Sequence, residues 1–161
     1  DRALHRALAD ACARDGVRGL RAQLDARLAI NDANPRLRAI RDTLGAVEPL
    51  DQMAARALER AVGREIDLIF NGKTRKVVPR EVAGGKVSLF FGEQNRTVTL
   101  DLATLGDAEM IRLLKPPLEP HQAAAVALRL LETGERVAAR PYAAAAGPLA
   151  PILTLLADPE S

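Results

Sequence analysis

Between Gly63 and Leu105 the chain abandons the three-and-four spacing of apolar residues found elsewhere and alternates with a period of two. That stretch, GREIDLIFNGKTRKVVPREVAGGKVSLFFGEQNRTVTLDLATL, constrains the fold more than any other. Ile66, Leu68 and Phe70 alternate with Asp67 and Ile69, and Asn71-Gly72 follows. Asn-Gly between apolar runs signals a two-residue hairpin, because a type I′ turn needs positive φ at both central residues. The return strand, from Lys73 to about Val78, meets Pro79, which cannot donate to a ladder and so marks an edge, a bulge or the strand's end. Val82 resumes pairing before a second tight turn at Gly84-Gly85. Val87, Leu89 and Phe91 then alternate with Ser88 and Phe90. Gly92-Glu93-Gln94-Asn95 makes a third turn, and Val98, Leu100 and Leu102 alternate with Thr97, Thr99 and Asp101. The pattern predicts a four-stranded antiparallel meander with one buried face. So small a sheet buries too little by itself to offset chain entropy, so it must lean on a helix or close into a small barrel.

The flanks are helical. Leu4, Ala7, Leu8, Ala11 and Cys12 share one face, and Gly16 is placed to end their helix. Val17, Leu20, Leu24 and Leu28 repeat the stripe; Gly16 and Gly19 are also tolerable inside one merged helix, at roughly 1 kcal/mol each. Asn34-Pro35 reads as an N-cap followed by proline at the first helical position. Glu48-Pro49 opens a helix carrying Leu50, Met53, Leu58 and Val62, which Gly63 stops. Beyond the sheet, Thr104 or Asp107 is expected to cap a short helix with Met110, Ile111, Leu113 and Leu114, a lid for the sheet's open end. Pro120 starts another helix that ends at Gly134, and Glu135 to Ala146 forms its antiparallel partner, with a kink or break expected at Arg140-Pro141. A last amphipathic turn or two follows Pro151. The expected organisation is α+β: a helical hairpin or bundle over 1–62, a small β domain with a short closing helix over 63–115, and a helical hairpin over 116–161.

Two resemblances attach to these segments. Ala127, Leu128, Leu131 and Gly134, followed by Ala138, Ala139, Tyr142 and Ala145, resemble the small–large rhythm of a single tetratricopeptide-type helical hairpin. The resemblance implies closely packed helices with a glycine turn; Ala123 or Ala124 stands about where that family's tryptophan would be. The central stretch resembles the small SH3-type barrels in strand count and turns, which implies closure of the meander.

Little in the chain suggests catalysis. The serines are Ser88, in the middle of a strand, and Ser161, at the terminus. Cys12 is the only cysteine; it excludes an intramolecular disulfide and a cysteine-rich zinc site, and its apolar stripe makes it a buried thiol. His5 and His121 have no partner at metal-ligand spacing, so neither a metal nor any other cofactor is expected. Gly16-Val17-Arg18-Gly19 lacks the lysine and the preceding strand of a phosphate loop. The carboxylates Asp67, Glu81, Glu93 and Asp101 are scattered over turns and strand faces, and nothing selects an acid–base pair.

Charge is nearly balanced. The formal net is +2, and the three segments carry +2, +2 and −2. Nineteen of the 23 basic residues are arginine, as GC-rich coding would give. Rings make up 2% of the chain, too few for a carbohydrate site or an extended stacking platform. One basic cluster remains, Lys73, Arg75, Lys76 and Arg80, which Lys86 and Arg96 can join across the sheet. With Phe90 or Phe91 exposed it could contact nucleic acid; lysine and arginine on an edge strand also block aggregation. No run approaches the roughly 20 apolar residues that a membrane helix needs. The chain starts at Asp1, as a segment of a larger bacterial-type protein would. The expectation is a soluble, non-catalytic interaction or scaffolding segment, with the cytoplasm favoured. Its partner is another protein or a neighbouring domain of the same chain, and nucleic-acid binding through the basic second strand is the alternative.

Overall fold

The computed structural model describes residues 1–160, with seven α-helices and a four-stranded antiparallel sheet among them. The class is α+β. The chain divides into two compact units, one made of residues 1–47 and 118–161 and the other of 48–117. This differs from a division into three consecutive segments. The third helix goes with the sheet, and the two ends of the chain form one helical unit into which the sheet unit is inserted.

In the helical unit, α1 (Arg2–Ile30) begins at Asp1, whose carboxylate accepts from the backbone N–H groups of Ala3 and Leu4. It kinks at Asp15 and Gly16, where Gly16 takes φ +65°. Gly19 completes the bend for a second reason. A Cβ there would sit 2.5 Å from the Ala11 carbonyl oxygen and 2.7 Å from Asp15 Cβ. Gly16 and Gly19 together form a helix kink. Next, α2 (Pro35–Ala46) starts as its Asn-Pro signal requires, with Asn34 Oδ1 accepting from Arg36 and Leu37.

The chain returns to this unit in α5 (Pro120–Glu132), α6 (Arg136–Ala144) and α7 (Ala150–Ala157). Glu119 and Gln122 form a reciprocal capping box at the start of α5. Helix α6 runs through Pro141 without a break. The proline leaves the carbonyl of Val137 without its helical donor, but Val137 is 72% exposed and water can serve it. Ala124, Ala127, Ala143 and Ala146 are buried with Leu149, Ile152 and Leu153 against Leu8, Leu20, Leu24, Leu37, Ile40 and Leu44. Ala138 and Ala145 of the small–large rhythm are exposed instead.

In the sheet unit, α3 (Leu50–Arg60) buries Leu50, Met53, Ala54 and Leu58. The strands are β1 (Ile66–Phe70), β2 (Lys73–Ala83), β3 (Lys86–Phe91) and β4 (Arg96–Asp101), each paired with the next. All three reversals fall where the sequence placed them. Asn71 and Gly72 take φ 52° and 77°, Gly84 and Gly85 take 59° and 74°, and Asn95 takes 47°. Pro79 sits within β2 and is followed by a bulge at Arg80, where the register shifts. It costs no ladder bond: β1 begins opposite Val77, and the Pro79 carbonyl accepts from Gly63 N–H at 2.9 Å. The sheet stays open, with β1 and β4 as its edges, so the barrel closure implied by the SH3 resemblance does not occur. Leu68, Val77, Val87 and Leu89 line the inner face, and α3 packs on β2. After a 3-10 turn (Leu102–Leu105) comes α4 (Asp107–Leu113). Neither Thr104 nor Asp107 caps it; Gly106 holds the N-cap position, and the Thr104 hydroxyl donates to the Asp101 carbonyl instead.

Two glycine substitutions in the helical unit should have opposite signs. Gly45→Ala, where an added Cβ meets nothing within 4 Å, should stabilise by about 0.5–1 kcal/mol through helix propensity. Gly19→Ala should destabilise by about 1–3 kcal/mol, because the backbone oxygen it meets cannot move aside. Tyr142 is the only tyrosine, the chain has no tryptophan, and Tyr142 lies in this unit, so its fluorescence through a urea titration reads both changes.

Candidate binding edge of the sheet

An open antiparallel sheet presents two rows of backbone groups that no neighbouring strand satisfies. In β1 the hairpin register fixes which residues these are. Phe70 and Lys73 close the two-residue turn, so Phe70, Leu68 and Ile66 bond to β2 and Ile69 and Asp67 turn their backbone outward. Helix α4 meets both. Ile69 N–H donates to Glu109 Oε1 at 3.2 Å, and Arg112 Nη2 donates to the Asp67 carbonyl at 2.6 Å. Arg112 also grips Glu109 through Nε, at 3.1 Å to each carboxylate oxygen. Glu109 is 5% exposed, the one buried charged side chain among the described residues. Its hydrogen bond raises the Arg112 guanidinium above its ordinary range, against the opposing effect of burial. Helix α4 is therefore a latch on the β1 edge and not a lid over the end of the sheet.

The β4 edge has no such cover. Leu102 N–H donates to the Gly85 carbonyl at 2.9 Å, and the register pairs Asp101 with Lys86. Alternation from that bond directs the backbone of Leu100, Val98 and Arg96 toward β3 and that of Thr97, Thr99 and Asp101 outward. The Asp101 carbonyl is taken by Thr104. Among the described residues nothing bonds to the outward N–H and C=O groups of Thr97 and Thr99. On the inner side Val98 and Leu100 are only half buried; on the outer side the Thr99 hydroxyl lies 2.8 Å from that of Ser88.

The six candidate nucleic-acid contacts do not gather into one patch. Pairing parity puts Lys73, Arg75 and Arg96 on the side of Leu68, Val77 and Phe91, and Lys76 and Lys86 on the opposite side. Arg80, of the same parity as Lys76, is on that opposite side too, where its guanidinium lies over the Phe90 ring, 4.9 Å from the centroid. Lys76 Nζ is 3.9 Å from Glu65, and Lys86 is paired with Asp101. Phe91 is buried, so Phe90 is the only ring on the outer face, and an arginine already occupies it.

Residues considered for catalysis are dispersed. Ser88 is the strand residue just described, and Ser161 lies outside the described residues. Cys12 is 8% exposed and lines a cleft of about 510 Å³ in the helical unit with Val17, Leu128, Leu131 and Leu156. Burial pushes its thiol pKa up, away from the reactive thiolate. Burial likewise lowers the pKa of His5, with the N-terminal charge and Arg36 adding to the effect. His121 Nδ1 is 3.7 Å from Glu119, and no three metal-ligating side chains cluster among the described residues. No helix is long and apolar enough to cross a membrane.

Arg112→Ala should destabilise the sheet unit by about 1–3 kcal/mol, since it strands a buried carboxylate, and Arg112→Lys should fall between the two because an ammonium cannot make the same fork. Amide exchange at Ile69 reads the loss directly. Cys12 should alkylate at least about tenfold more slowly than a free thiol at mildly alkaline pH and catch up in denaturant. Because its folded pKa is raised, the stability it contributes is complete below the ordinary thiol range and is lost as pH climbs from there through the raised folded value.

No protein-family model matches the chain, and neither a curated protein nor a solved structure matches it.

Proposed function

We propose that the chain is a non-catalytic protein-interaction or scaffolding module whose sheet unit accepts an extended protein segment as a fifth strand along β4. The observation that carries this reading is the contrast between the two edges. A buried glutamate and the exposed arginine that grips it spend two charged side chains on sealing β1, while Thr97 and Thr99 leave four backbone groups open on β4. The open strand also lacks the usual protections: no proline, no bulge and no covering helix. Main-chain hydrogen bonds supply affinity in strand addition, and the half-buried Val98 and Leu100 offer apolar contact to alternate side chains of the incoming segment. The dispersal of nucleophiles and carboxylates favours a binding role over catalysis. Nucleic-acid binding is the weaker reading, because the six basic residues divide three and three between the two faces, and Lys76, Arg80 and Lys86 each already have an acidic or aromatic neighbour.

Short synthetic peptides alternating threonine with valine or leucine, titrated into isotopically labelled protein, test the reading. Amide shifts should concentrate between Arg96 and Asp101 and vanish in Thr99→Pro, which removes an outward donor and no ladder bond to β3. Shifts that ignore the variant, or a single-stranded oligonucleotide that instead shifts Lys76, Arg80 and Lys86 at low salt, would overturn it.

A further inference from the structure

We infer that the segment seated on β4 is β4 of a second copy of this chain, so that two sheets join edge to edge across a twofold axis. The inference rests on the strand-addition reading and names its occupant. A fifth strand here must satisfy three conditions. It must turn N–H and C=O groups toward Thr97 and Thr99, place apolar residues beside the half-buried Val98 and Leu100, and set small polar residues beside the threonines on the outer face. The run Thr97-Val98-Thr99-Leu100 meets all three itself.

Twofold symmetry and backbone alternation allow an antiparallel register centred on any residue of β4, and those centred on Thr99 or Val98 keep the most of the strand paired. With Thr99 opposite itself, Val98 lies across from Leu100 on the inner side, and Thr97 lies across from Asp101 on the outer side. With Val98 opposite itself, Thr97 faces Thr99 but Arg96 faces Leu100. Neither register sets like charges opposite each other, which would repel. The first joins apolar to apolar and is the one assigned. The sealed β1 edge offers no equivalent, since a second copy would have to displace Glu109 and Arg112. About four main-chain hydrogen bonds cross the proposed pair without calling on the Asp101 carbonyl, which Thr104 holds. The interface is smaller than the roughly 1,200–2,000 Å² of standard stable complexes, so the dimer should be weak and concentration-dependent.

Sedimentation equilibrium of the full chain, from micromolar to near-millimolar concentration, should show a monomer–dimer equilibrium. Thr99→Pro should weaken it at least about tenfold while the circular dichroism of the monomer is kept. In a Cys12→Ala background, Thr99→Cys should form a disulfide between copies under mild oxidation, because residue 99 faces its own counterpart on the axis. That variant keeps the test valid if the proline substitution unfolds the strand. A dimer indifferent to Thr99→Pro, or one in which residue 99 fails to cross-link, overturns the inference. A chain that stays monomeric throughout also overturns it; if alternating peptides still bind that monomer at β4, the strand-addition reading stands and only the identity of the occupant falls.

Discussion

A sheet of four strands that does not close must do something with two edges, and in this chain the two are treated oppositely. Glu109 and Arg112 place a carboxylate and a guanidinium against the outward N–H of Ile69 and carbonyl of Asp67. Burying a carboxylate is costly unless it is paired and hydrogen-bonded, and here it is both. The pair thus satisfies the backbone of one edge and denies it to other strands. Everything proposed about function follows from the absence of a comparable device on β4.

The helical unit solves a different problem. Its core mixes alanines with leucines, and the alanines let α5 and α6 come close. Close approach also explains Gly147, where a Cβ would sit 2.9 Å from Pro120 Cβ while the backbone takes φ +58°. The kink in α1 works by the same logic, with Gly16 giving the backbone its positive φ and Gly19 making room for the Ala11 carbonyl. Arg6 ties the start of α1 to the end of the chain through the Pro159 carbonyl, 3.3 Å from both terminal guanidinium nitrogens.

What was legible in the sequence is what leaves a local chemical trace. Asn71-Gly72, Gly84-Gly85 and Asn95 announce positive φ, and Asn34-Pro35 announces a helix start; each is found in place. The α+β class followed from the change of period. The grouping of elements did not, because α3 is rich in alanine, leucine and arginine like α1 and α2, and only its packing assigns it to the sheet. The latch was missed for a related reason: Glu109 and Arg112 look like an ordinary surface pair three residues apart, and their backbone partners lie some 40 residues away. The basic cluster is divided between the two faces of the sheet. Parity alone separates Lys73 and Arg75 from Lys76 and Arg80, and the bulge after Pro79 changes the alternation only from Glu81 onward.

Hydrogen exchange of individual amides in dilute solution tests the difference between the edges most directly, because each relevant N–H is assigned a definite partner or none. Ile69 should be protected by Glu109, and Val98 and Leu100 by β3, while Thr97 and Thr99 between and beside them exchange rapidly. Exchange at Ile69 as fast as at Thr97 and Thr99, or equal protection along the whole of β4, would contradict the account.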